Sequence, residues 1–157
     1  MRVLYLCSDF GIDPGGTKGA SIHVRAITRA LTETGHEVRL LSPHPIPSDH
    51  PARGIAEDGV ASAAKDARRW KRRLCQLGVE EPLAKELRSA CFNGVLPDAV
   101  TEAVRDWSPE VVLERLSLFG EAGGILADRL GVPHVLEVNA PLVQEARRFR
   151  GHRLIEA

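Results

Sequence analysis

The opening of the chain most constrains what it can become. Arg2-Val3-Leu4-Tyr5-Leu6-Cys7 is short and almost wholly apolar, which suits a strand buried on both faces of a parallel sheet. A turn holding Gly11, Gly15, Gly16 and Gly19 follows. Glycine permits positive φ and lets a backbone approach a ligand closely. From Ile22 the pattern changes to helical, with Ile22, Ala26, Ile27, Ala30 and Leu31 on one side of a 3.6-residue repeat. Strand, glycine turn and helix then predict a ligand-facing carboxyl edge, with the unpaired N–H groups of a helix N-terminus behind it.

The rest of the chain repeats this alternation. Helix one should end at Gly35, and Val38-Arg39-Leu40-Leu41 reads as a second strand closed by Pro43. Between Pro43 and Gly59 the composition turns to Pro, His, Asp, Ser and Gly, a loop with no readable strand. Amphipathic helices are expected over Ala61–Leu77, around Leu83–Cys91 and, after Pro97 and Asp98, around Val100–Trp107. Val111-Val112-Leu113 opens a third buried strand ending in Glu114-Arg115. A helix from Ala122 to Leu130 stops at Gly131, and Val135-Leu136-Glu137-Val138 is the fourth strand. A polar helical stretch runs from Leu142 to about Arg150. Short apolar strands alternating with helices predict an α/β fold, a Rossmann-like open parallel sheet with helices on both faces.

Size and charge narrow the function. A chain of 157 residues has the length of one domain, able to bury about 70% of its unfolded surface. Lys plus Arg and Asp plus Glu balance at 21 each, so no overall charge draws in nucleic acid or an acidic membrane. Aromatic residues are 4%, a poor supply of stacking platforms for single strands. Cys7, Cys75 and Cys91 are far apart and lack Cys-x-x-Cys spacing, as expected for reduced thiols in a cytoplasmic protein. Cys7 reads as a core residue. No apolar run reaches membrane-spanning length. Arg68, Arg69, Lys71, Arg72 and Arg73 surround Trp70; this is either a solvated helix face or a peripheral contact with an anionic membrane surface or acidic partner.

Several familiar chemistries do not fit. Gly11-x-x-x-Gly15-Gly16-x-x-Gly19 is not the dinucleotide spacing, and strand two ends in Leu41-Ser42-Pro43 without a ribose-binding acid. Lys18 lies between Thr17 and Gly19, which is not a Walker A order. The six histidines include no His-x-x-x-His pair. There is no Gly-x-Ser-x-Gly elbow. His23, in the first turn of helix one, either lines the cleft as a polar residue bonded to its surroundings or contacts substrate. Asp9, the glycine turn, Glu114-Arg115 and Glu137-x-Asn139 each follow a strand, so in a parallel sheet all face one crevice at the carboxyl edge.

Five blocks of sequence resemble the N-terminal domain of family 4 glycosyltransferases, retaining nucleotide-sugar-dependent enzymes of GT-B fold. They are Arg2–Leu6 with its Gly-Gly turn, Lys18-Gly19-Ala20-Ser21-Ile22-His23-Val24-Arg25, Gly35-His36-Glu37-Val38, 109–120 from Pro109-Glu110-Val111 to Phe119-Gly120, and 130–142 from Leu130-Gly131-Val132-Pro133 to Ala140-Pro141-Leu142. Together they cover roughly half the chain in the family's order, the two later blocks being the more specific. The resemblance implies a single acceptor-side domain over 1–157, with a loop and helical insertion at about 43–97, forming an incomplete N-terminal part of a GT-B enzyme. The donor would be a nucleotide-diphosphate sugar, with no metal or other cofactor implied. The acceptor would be a sugar or lipid, and a separate C-terminal half would hold most of the donor, so that the chain alone would be inactive.

The same resemblance places Gly15 and Gly16 near the donor diphosphate, with Lys18 adding positive charge. His23, Glu114, Arg115 and Glu137 become candidate substrate contacts. Asn139 falls at the candidate catalytic position, where many relatives carry a histidine near the reacting sugar; an amide can hydrogen-bond a hydroxyl but does not titrate. The alternative reading is a non-catalytic Rossmann-like module that grips a small anion or a protein partner through the same turn.

Overall fold

The computed structural model describes residues 1–55, 58–150 and 154. Five strands form one all-parallel sheet: β1 (Arg2–Leu6), β2 (Glu37–Leu41), β3 (Arg53–Gly54), β4 (Val111–Arg115) and β5 (His134–Glu137). Their order is β3-β2-β1-β4-β5. Strand order therefore reverses at β1, and the crevice between the carboxyl ends of β1 and β4 is the place where open α/β sheets take their ligands.

Alternation along β1 sorts the core into two halves. Leu4 and Leu6 pack with Val112 under helices α2 (Asp58–Gln76), α3 (Glu81–Ala103) and α4 (Ala122–Leu130). Val3, Tyr5 and Cys7 pack with Val38 and Leu40 under helix α1 (Gly19–Glu33). The sheet thus has helices on both faces, with α2, α3 and α4 on one and α1 on the other. Leu4, Tyr5 and Leu6 are fully buried, and each such side chain stabilises the fold by about 1.5–3 kcal/mol.

Four details differ from the sequence reading. β3 exists, two residues long, where Arg53 and Gly54 pair with Arg39 and Leu40; so short a strand has no periodicity of its own. α3 is one helix rather than two. Pro97 lies inside it and gives up a ladder hydrogen bond, but Phe92, Leu96 and Val100 are completely buried around it and hold the axis together. α1 buries Ser21, Val24 and Thr28, with Ala20, Ile27 and Leu31 beside them, while Ile22 is 52% exposed. Thr28 can face inward because its hydroxyl donates to the carbonyls of Val24 and Arg25. β5 is not buried: among the described residues it has no outer neighbour, and Val135, Leu136 and Val138 are 50%, 46% and 63% exposed.

After β5 a short helix α5 (Leu142–Glu145) leads into a π-helical turn over Ala146–Arg150. The helix α4 ends as expected, with Gly131 left-handed at φ 67°. Among the described residues no helix is long and apolar enough to cross a membrane.

Candidate functional site

The turn after β1 is built by short polar side chains. The Gly11 N–H donates to Asp9 Oδ1 at 2.6 Å and the Gly15 N–H to Asp13 Oδ1 at 2.9 Å, each an aspartate turning its own backbone. Neither Gly15 nor Gly16 has a positive φ. The backbone is closely packed at both instead. A Cβ on Gly16 would lie 3.1 Å from both the Asp13 carbonyl and Ser21 Oγ, and one on Gly15 would lie 3.0 Å from Pro47 Cγ. Arg25 reaches back from α1 and donates to the carbonyls of Pro14 and Gly16 at 2.6 and 2.7 Å. Lys18 precedes the helix without a side-chain cap, so the first-turn N–H groups of α1 are presented at this edge without one.

Glu137 is the hub of a second group beside it. Its Oε1 accepts from Arg115 Nη1 at 2.9 Å, from Asn139 Nδ2 at 2.6 Å and from His23 Nε2. Its Oε2 accepts from the Tyr5 hydroxyl at 2.7 Å. Strand register explains the meeting: Arg115 pairs with Glu137 across β4 and β5, and Tyr5 shares that face of the sheet. His23 enters from near the N-terminal end of α1. Arg115 and Glu137 are nearly buried, whereas the His23 side chain is 43% exposed and Asn139 is exposed. Tyr5 and Arg115 make the floor; His23 and Asn139 make a rim open to solvent.

Electrostatics fix the protonation of the floor. Burial alone would raise the Glu137 carboxyl, but the bonds from Tyr5, Asn139 and His23 and the charge of Arg115 outweigh it and hold it below its ordinary value. Burial, reinforced by the neighbouring Glu137 carboxylate, raises the Tyr5 phenol far above its usual range. It is therefore a donor at every working pH. His23 must carry its proton on Nε2 to donate to Glu137. Cys7 is 1% exposed, and burial, with Asp9 nearby, pushes its thiol up to about 12; it is a core residue.

Glu114 goes elsewhere. One residue before Arg115, it points to the opposite face, where it is 3% exposed and accepts from the Gly123 N–H at 3.2 Å and His134 Nε2 at 3.0 Å. It anchors the start of α4 and does not reach the Glu137 group. Gly15, Gly16 and Lys18 line the turn; His23, Arg115, Glu137 and Asn139 come together. Tyr5, Asp13 and Arg25 belong to this edge too and were missed by motif reading. Tyr5 carried a signal, since a tyrosine inside a buried strand needs a partner for its hydroxyl.

The basic helix is partly absorbed by the fold. Arg68 donates to the Pro43 carbonyl at 2.6 Å and lies over the Phe10 ring, and Lys71 pairs with Glu81 at 2.7 Å. Arg69, Trp70, Arg72 and Arg73 stay exposed. Among the described residues no group of three His, Cys, Asp or Glu side chains is placed to hold a metal ion.

Fold and edge together define a Rossmann-like α/β domain, with a glycine turn and a carboxylate-centred polar group at the carboxyl ends of its strands. No protein-family model matches the chain, and a search of curated proteins finds no significant match.

Proposed function

We propose that this chain is the N-terminal, acceptor-binding part of a retaining, nucleotide-sugar-dependent glycosyltransferase. The observation that carries the reading is the Glu137 group. One carboxylate with a solvent-facing histidine and amide supplies the mixed donors and acceptors that sugar hydroxyls need. It adjoins a glycine turn and an uncapped helix N-terminus, which suit a diphosphate.

In this reading His23, Glu137 and Asn139 bind and orient acceptor hydroxyls, while Arg115 and Tyr5 hold the Glu137 carboxylate in place and ionised. Gly15, Gly16 and Lys18 face the donor phosphates. Transfer requires donor and acceptor to be held together away from water. An edge with its histidine 43% exposed does not exclude water, so a second, donor-binding half must close over it.

Two measurements test the reading. Mono- and disaccharide acceptors titrated into ¹⁵N-labelled protein should shift the amide signals of Gly16, His23 and Asn139, and Glu137→Gln should abolish those shifts. No shift at this edge with any acceptor overturns the acceptor role. Nucleoside diphosphate release from UDP-, GDP- or ADP-sugars should be absent for this chain alone; transfer by the chain alone overturns the need for a second half. Diphosphate binding at the turn without acceptor binding would identify a non-catalytic module instead.

A further inference from the structure

A cavity of about 450 Å³ opens on the other face of the sheet between the loops after β1 and β4 and the helix α3. Nothing in the proposed acceptor site uses it. Three features of its wall are unusual together. Arg88 is half-buried over the Phe10 ring, 4.0 Å from its centroid, and among the described residues forms no ion pair or hydrogen bond; its Nε is buried without a partner. Asn93 is 2% exposed, and its Oδ1 accepts nothing. The amide cannot be turned round to cure this, because Nδ2 already donates at 2.9 Å to the Ser89 carbonyl, which only accepts. The hydroxyls of Ser8 and Ser117 share one hydrogen bond of 2.8 Å, which leaves one O–H to donate.

The carboxylates on the same wall are engaged. Asp9 Oδ1 takes the Gly11 N–H, and Glu86, 1% exposed, takes the Leu154 N–H at 2.7 Å. Lys85 leans on Glu81 at 3.4 Å. Among the described residues Arg88 is therefore a lining cation with no ion pair, coupled to Asp9 through charge alone, and Asn93 Oδ1 is a buried acceptor without a donor. Leaving a buried polar atom unpaired is a cost that a ligand's hydrogen bonds would offset.

We propose that this cavity binds a small hydroxylated anion, a polyol phosphate in class, with Arg88 on the anionic group, Asn93 Oδ1 accepting from a ligand hydroxyl and the Ser8–Ser117 pair donating. A hydrogen bond to a charged group is stronger than one between neutral groups, so Arg88 should dominate affinity and Asn93 selectivity. The site needs no nucleotide sugar and none of the Glu137 group, so it stands or falls independently of the transferase reading.

The test is calorimetric titration of the whole chain with sn-glycerol 3-phosphate, inorganic phosphate and glycerol. The expected order is glycerol 3-phosphate tightest, phosphate weaker and glycerol undetected. Arg88→Gln should weaken glycerol 3-phosphate by ten-fold or more. Asn93→Leu should erase the preference for glycerol 3-phosphate over phosphate while leaving the melting temperature at or above wild type. No binding of either anion, equal affinity in Arg88→Gln, or an Asn93→Leu protein that melts lower and keeps its preference would each overturn the proposal.

Discussion

Glu114 and Glu137 lie at the carboxyl ends of neighbouring strands, and they are used in opposite ways. Glu114 is enclosed by its own fold: it takes a backbone N–H at the start of α4 and the ring of His134 on the next strand. Gly123 has no room for a side chain beside it, since a Cβ there would lie 2.3 Å from Glu114 Oε2. Among the described residues Glu137 is held by side chains alone, from β1, α1, β4 and the chain just beyond β5, two of them open to solvent. A carboxylate locked to backbone in a space without slack serves the fold. One gathered by movable side chains at an open rim can exchange those partners for a ligand's.

The largest expected difference is in reactivity beneath the Glu137 side. A thiol raised from 9.0 to about 12 by burial has roughly a thousand-fold less thiolate at neutral pH. Iodoacetamide should therefore label exposed Cys91 and leave Cys7 unmodified in the native protein, read by peptide mass spectrometry; rapid labelling of Cys7 would mean that the floor is open. Next comes Gly123→Ala, which forces a methyl group into the Glu114 carboxylate and should cost about 2–4 kcal/mol in urea denaturation. A loss below about 1 kcal/mol would show that Glu114 has room to move, and the contrast would weaken.

Acid titration probes the other carboxylate. Because the folded value of Glu137 is depressed below 4.5, its contribution is complete above that pH and is lost as pH falls through the folded value. Glu137→Gln should remove about 1–2 kcal/mol at neutral pH and flatten the decline in stability below pH 4.5. An unchanged acid limb would mean that the four donors do not hold it. The smallest effect is expected at Trp70, 64% exposed on α2: Trp70→Ala should change stability by less than about 0.5 kcal/mol.

Much of this architecture is legible in the chain because β1, β2 and β4 are short apolar runs and α4 carries its own stop at Gly131. The exceptions have physical causes. Pro97 reads as a break, but packing of Leu96 and Val100 outweighs one lost ladder bond. The inward stripe of α1 is rotated from the most apolar positions, because Ser21 and Thr28 are small and Thr28 satisfies its hydroxyl within its own helix. At the site, topology brings His23, Arg115, Glu137 and Asn139 to one edge as expected. Strand parity, also readable, separates Glu114 from Arg115. Arg88 and Asn93 could not be found this way, since their lack of partners is a property of tertiary packing.

The position of β1 in the middle of the sheet also sets an order of events. Its register with β2 uses the nearby residues 37–41, but its register with β4 waits for residues 111–114. During synthesis the stretch 42–110 must first emerge, a delay on the order of ten seconds at ribosomal rates. Throughout that interval the future centre of the sheet is an apolar strand with one side unpaired, at the very place where the candidate site will form. Chaperone dependence during translation should therefore be concentrated before β4 appears, and the site should be among the last parts of the molecule to acquire its geometry.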